Sequence, residues 1–185
     1  MTIRQLPEEI AARIAAGEVV ERPASVIKEL VENSLDAGAT RVEVETRGGG
    51  QTLLRVRDNG AGILSAEAPV AFHRHATSKL ATADDLFHIA TLGFRGEALA
   101  SIAAVGRLTC TTRSAEETAG TRLRIEGGTV ISHSSIGRPP GTEMSVEDLF
   151  YNVPARRKYL SSERTERRHI DAFLTRYAIA YPSVA

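Results

Sequence analysis

A chain of 185 residues, 42% hydrophobic and 25% charged, can bury a core as one domain without a disulfide or metal staple. Its 23 basic and 23 acidic residues cancel, so any nucleic-acid partner must be sought in local charge rather than net charge. Cys110 is the single cysteine, which excludes an internal disulfide and fits a reducing compartment, cytosolic or, in a eukaryote, nuclear.

The opening segment MTIRQLPEEIAARIAAGEVV has early acids and no sustained apolar run, so it is not a signal peptide. No stretch approaches the length of a transmembrane helix. A helical pattern runs from about Glu8 to Ala16, and Pro23 is suited to start a second helix that ends at the Gly38 stop. RVEVETR alternates Val42, Val44 and Thr46, and LLRVRD alternates back through Leu54, Val56 and Asp58, so the two pair as a hairpin across GGGQ.

NGAGI is a glycine loop, and Ser65–Arg74 is expected as a short helix. Thr82 as N-cap with Asp85 at its third helical position predicts another. Beyond a glycine-punctuated loop, a small-residue helix is expected from about Gly96 to Val105. Strands follow at Arg107–Arg113, Thr121–Glu126 and Thr129–Ser134, the last two joined through Gly127-Gly128. After the rigid GRPPGT turn, TEMSVEDL reads as a strand, and ARRKYL and RTERRHIDAFLTRYAIA as helices. Strands and helices come in blocks, which predicts an α+β two-layer sandwich with helices on one face of a mixed, mainly antiparallel sheet. The end at YAIAYPSVA has no turn chemistry and reads as a cut from a longer protein.

Chemistry enters at VIKELVENSLDAG. At about 100° per residue, Val26, Ile27, Leu30, Val31 and Leu35 fill one half of the wheel, while Asn33 falls only about 20° from Val26. Glu29 lies one i,i+4 step from Asn33, so a carboxylate and an amide share a ridge at the border of the buried face. Asp58 ends an apolar strand row, where a carboxylate is costly unless donors meet it. It is either a turn-initiating Asp or an acceptor on a pocket floor. DNGAGI and GFRGEAL each carry two glycines, where backbone approaches a ligand or takes positive φ. The second runs into a helix start, an anion site by its free N–H groups and dipole. The Walker pattern GxxxxGK[ST] appears nowhere.

KELVENSLDAGA, RVRDNGAGI, HATSKL, LGFRGEALASI and PPGTEMSVEDLFYNVPARRKYL resemble, in order and spacing, the MutL family of DNA mismatch-repair ATPases. The likeness covers nearly the whole chain and is weakest between Ser114 and Arg138. Among GHKL ATPases, GFRGEALAS with LFYNVPARRK is the specific part. The resemblance implies the GHKL (Bergerat) ATP-binding fold over residues 1–185, with residues 1–20 a mobile arm and further domains beyond this chain. It implies binding of ATP and Mg²⁺ and slow hydrolysis that controls dimerisation and partner contacts.

Residue by residue, it makes Glu29 the general base and Asn33 the Mg²⁺ ligand. Mg²⁺ prefers hard oxygens and keeps waters and phosphates in its shell, so one protein ligand can suffice. Histidine kinases of the superfamily do not hydrolyse ATP to water with such a glutamate, so Glu29 favours a hydrolase. Asp58 would accept the adenine amino group, Gly62 would let the base lie close to backbone, and Thr142 would support the adenine and Asp58. Thr77, Ser78 and Lys79 would form a nucleotide-contacting turn. Gly93, Phe94, Arg95, Gly96, Glu97, Ala98 and Leu99 would wrap the phosphates as a lid, with Glu97 a dipole-favoured acid in the first helical turn.

Implied partners are a second N-terminal region, as homodimer or MutL-type heterodimer, a mismatch-recognition protein, and DNA through phosphate contacts. A lysine from a following domain would reach the γ-phosphate. Between Ala155 and Arg176, seven basic residues face three acidic ones, either as a solvated helix face or as a phosphate-contacting one. His73 and His75 lack the further Cys or His partners of a zinc set and read as surface or packing residues. The rival function, from another class, is a nucleic-acid-binding or scaffold module that uses ATP only as a conformational ligand.

Overall fold

In the computed structural model, which describes residues 7–77, 91–93 and 96–185, six strands form one antiparallel sheet. They are β1 (Val42–Arg47), β2 (Leu53–Asp58), β3 (Arg107–Arg113), β4 (Gly120–Glu126), β5 (Thr129–Ile136) and β6 (Gly141–Glu147), in the order β1-β2-β6-β3-β4-β5. The helices are α1 (Glu8–Val19), α2 (Pro23–Asp36), α3 (Ala98–Val105), α4 (Pro154–Tyr159) and α5 (Glu163–Ala180). No helix among the described residues is long and apolar enough to cross a membrane.

Period two decides which face of the sheet is covered. Leu54, Val56, Met144, Val146, Leu108, Cys110, Leu123 and Ile125 are all buried beneath the helices. On the other face Arg55 and Arg57 of β2 lie beside Glu45, Glu43 and Glu143 as cross-strand ion pairs. The Cys110 thiol is pushed by burial up to about 12, so it stays protonated as a core residue.

Three element boundaries carry the site. α2 begins on Pro23 at its first helical position and ends in a Schellman turn, with Gly38 N–H donating to Leu35 O and Ala39 N–H to Ser34 O. Gly38 takes φ +71° there, which is why the stop is a glycine. α3 starts at Ala98, later than the expected Gly96, because Gly96 sits at φ +62° and cannot continue a right-handed helix. The expected helix over Ser65–Arg74 is a chain of turns with a single 3₁₀ turn at Val70–Phe72. Pro69 has no N–H to donate to Ser65 O, so the i→i−4 ladder is interrupted between the Ala68 N–H to Leu64 O and Ala71 N–H to Glu67 O bonds. The helix predicted from the Thr82 cap lies outside the described residues.

α1 packs against α3, with Ala16 and Val20 buried. Its end is held by Arg156, which donates to Gly17 O at 2.6 Å and Val20 O at 3.0 Å. Phe150 is fully buried at φ +64° in the LFYN segment, and Asn152 donates to Ala104 O at 2.8 Å. That motif therefore ties α3 and, through Arg156, α1 to the end of the sheet.

Candidate active site

α2 organises the site because its polar border residues fall on successive turns. Glu29 and Asn33 are both half-buried, on the ridge expected from their i,i+4 spacing. One turn on, Asp36 accepts the backbone N–H groups of Leu92 and Gly93 at 3.0 and 3.2 Å. The glycine-rich segment is thus tied at its start to the helix that carries Glu29. Asp36 was not singled out from the sequence, although its spacing of three from Asn33 places it on the same face.

Asp58 ends β2, half-buried, and is met by donors from three segments. Its Oδ1 accepts Gly60 N–H at 2.9 Å and Thr142 N–H at 3.2 Å, while the Ser34 hydroxyl lies 2.9 Å from Oδ2. The same hydroxyl is 3.0 Å from Leu30 O, so its single proton serves one acceptor at a time. A carboxylate has about four lone-pair sites, which leaves Asp58 able to accept one further donor. The turn-initiating role and the acceptor role coexist: Gly60 N–H closes an Asx turn on one oxygen, and the other oxygen faces α2.

Thr142 supports Asp58 with its backbone N–H, while its hydroxyl sits 3.0 Å from Thr112 Oγ1. Thr112 is fully buried and also takes the Ile63 N–H at 2.9 Å, pinning the loop that contains Gly62. Gly62 has φ +73°, and a Cβ there would lie 2.0 Å from Arg113 O. Glycine is demanded at this position by the chain's own backbone, a reason the sequence does not display. Ser34 and Thr112 were missed for the same cause: each is a small polar residue on an apolar face whose partner is remote in sequence.

Gly96 lies against the turn before it, where a Cβ would come 2.7 Å from Ala76 O. Glu97 caps no helix N–H with its side chain. Its carboxylate instead meets Arg74 Nε at 3.1 Å and His75 Nδ1 at 2.7 Å. It clamps the turn at Arg74 and His75 to the start of α3. Thr77, in the same turn, is half-buried, and Ala98 and Leu99 open α3. Ser78, Lys79, Phe94 and Arg95 lie outside the described residues. No group of three or more His, Cys, Asp or Glu among the described residues could hold a metal. His73 and His75 are exposed, as expected of surface histidines.

Asp58 at the end of β2 is thus joined to α2, which carries Glu29 and Asn33, through Ser34, and to the Gly62 loop through Thr142 and Thr112. Residues 21–149 match the family described as histidine kinase-, DNA gyrase B-, and HSP90-like ATPases, and the chain belongs to that family. Within it, the chain is 55% identical over 180 residues to the DNA mismatch repair protein MutL of Acidobacterium capsulatum, covering 97% of this chain and 27% of that protein. It is 58% identical over 184 residues to MutL of Xanthomonas oryzae pv. oryzae, covering 100% and 29%. The chain therefore spans under a third of the length of these relatives. The solved structure of the Aquifex aeolicus MutL ATPase domain complexed with ADP superposes with a TM-score of 0.70 at 38% identity, covering 90% of this chain and 58% of that one.

Proposed function

We propose that this chain is the ATP-binding and ATP-hydrolysing part of a MutL-type mismatch-repair protein. The observation that carries the reading is the role of α2. It bears Glu29 and Asn33 on one ridge, holds Asp58 through Ser34, and holds the start of the glycine-rich segment through Asp36. A single rigid element then sets base, metal ligand, adenine acceptor and lid in one frame, which is what positioning catalysis requires.

In this reading the adenine amino group donates to Asp58, and Gly62 and Thr142 shape the surface beside it. Glu29 takes a proton from water as the water oxygen bonds to the γ-phosphorus; the bond to the β,γ-bridging oxygen breaks, releasing ADP and phosphate. Asn33 offers the hard amide oxygen suited to Mg²⁺, whose chemistry when bound is to neutralise phosphate charge. Thr77, Ser78 and Lys79 contact the nucleotide, and the segment from Gly93 to Leu99 closes over the phosphates.

Nucleotide state would then control pairing with a second copy or a MutL-type partner and contact with a mismatch-recognition protein. Residues 1–20 would act as the exchanging arm. Crossing to a partner would release the buried Ala16 and Val20 and both Arg156 bonds within this chain. DNA contact through phosphates is supported by α4 and α5. Arg157, Lys158, Arg164, Arg167, Arg168 and Arg176 are exposed, whereas Glu166 is buried and Arg156 is turned inward.

Steady-state phosphate release by the full-length protein, measured beside equilibrium nucleotide binding, tests the reading. Catalytic release of phosphate with Mg²⁺–ATP is expected. Tight nucleotide binding with no turnover would instead favour a module that uses ATP only as a conformational ligand.

A further inference from the structure

Glu32 is 4% exposed, and a buried carboxylate is expensive unless its environment compensates it. Both oxygens are used. The Tyr177 hydroxyl of α5 donates to Oε1, and Lys28 Nζ lies 2.8 Å from Oε2. The same ammonium reaches Glu29 Oε1 at 3.1 Å. A chain of contacts therefore runs Tyr177, Glu32, Lys28, Glu29, from the packed face of α5 to the carboxylate assigned above as base.

We propose that Lys28 is a positioning residue for the Glu29 carboxylate, and that Glu32 and Tyr177 act through Lys28 as its anchor. The proposal rests on the hydrolase reading of Glu29. Adjacent residues on a helix do not face each other, so an unanchored Lys28 would have no reason to stay against Glu29. Glu32, at i+4 from Lys28, supplies that reason, and Tyr177 fixes Glu32 in turn. The phenol is itself held, with its ring centroid 4.3 Å from that of Phe173 and 5.9 Å from that of Tyr181.

Charge explains why a cation is needed there. Glu29 and Glu32 stand three residues apart on one helix, where like charges repel. Lys28 sits between them and satisfies both. Burial would depress the Lys28 ammonium, but its bonds to Glu32 and Glu29 outweigh that and raise it above the ordinary lysine value. Burial, then the bond to Glu32, raises the Tyr177 hydroxyl well above the usual tyrosine range, so it remains a donor. Neither Lys28 nor Tyr177 touches the reacting atoms in this account.

The test is a double-mutant cycle in the full-length protein, reading turnover and ATP affinity separately. Lys28→Met should lower kcat between about tenfold and about 100-fold, the scale of a misplaced catalytic group, with ATP affinity nearly unchanged. Lys28→Arg should recover most of the loss. Tyr177→Phe keeps the ring packing and should shift kcat in the same direction by less. In a Glu29→Gln background, Lys28→Met should have no further effect. Unchanged or faster turnover in Lys28→Met, equal loss of affinity and kcat, or the same further loss in the Glu29→Gln background would each overturn the proposal. If Glu29→Gln is slow but Lys28→Met is normal, only the positioning role falls. If Glu29→Gln keeps wild-type turnover, the base assignment falls and takes this proposal with it.

Discussion

Ser34 on α2 meets Asp58 at the end of β2, hydroxyl to Oδ2 at 2.9 Å. That contact joins the helix carrying Glu29 and Asn33 to the strand carrying the proposed adenine acceptor. Removing the carboxylate leaves Gly60 N–H, Thr142 N–H and the incoming amino group without their shared acceptor. Asp58→Ala should weaken ATP binding by roughly 1–3 kcal/mol, the scale of unmet buried hydrogen bonds. Guanine presents a carbonyl where adenine presents the amino group, so GTP should compete poorly with ATP in the wild type. Equal competition, read by displacement of a labelled ATP analogue, would remove Asp58 from adenine recognition.

Gly62 and Gly38 separate two costs that sequence inspection merges. Both have φ near +70°, but a Cβ on Gly38 would meet no heavy atom within 4 Å, whereas one on Gly62 would lie 2.0 Å from Arg113 O. Gly38→Ala should cost only the backbone term, about 1 kcal/mol. Gly62→Ala adds a backbone collision and should cost more than about 3 kcal/mol in total. Chemical denaturation of the two variants checks the order, and similar midpoints would contradict it.

Asp36 holds the Leu92 and Gly93 amides. Asp36→Ala should speed hydrogen exchange at these two amides and weaken nucleotide binding several-fold, while leaving the exchange of the β2 and β6 ladder unchanged. Unaltered exchange at Leu92 and Gly93 would mean that Asp36 is not what orders the start of the glycine-rich segment.

Arg167 and Arg168 are exposed on α5, and Arg167 has a loose i,i+4 ion pair with Asp171 at 3.7 Å. If this face contacts DNA phosphates, affinity should fall steeply with salt and little with sequence. Reversing both charges to glutamate should weaken binding and flatten the salt dependence. Unchanged binding would return the helix to a solvated face.

Where one segment contained its own reason, the sequence was readable. The β1–β2 hairpin followed from alternation, the α2 stop from Gly38, and the Glu29–Asn33 ridge from spacing of four. Asp58 was conspicuous because a carboxylate ended an apolar row. What could not be read depended on partners far away in the chain. β6 inserts between β2 and β3, so the Thr142 N–H reaches Asp58 across 84 residues. Glu32 looks like one more helix-surface acid until Tyr177, 145 residues later, closes over it. Gly62 shows its necessity only once Arg113 lies beneath it. Pro69 is visible in the sequence, and the missing N–H at that one position outweighs the local helix pattern over Ser65–Arg74.

Whether Glu29 on α2 is the base of an ATP hydrolase is read from Glu29→Ala in the full-length protein, with ATP affinity and phosphate release measured on the same preparation. With Glu29 as the base, ATP binding stays near normal and turnover falls by about 10²–10⁴-fold. Parallel loss of binding and turnover, or turnover at the wild-type rate, would contradict it.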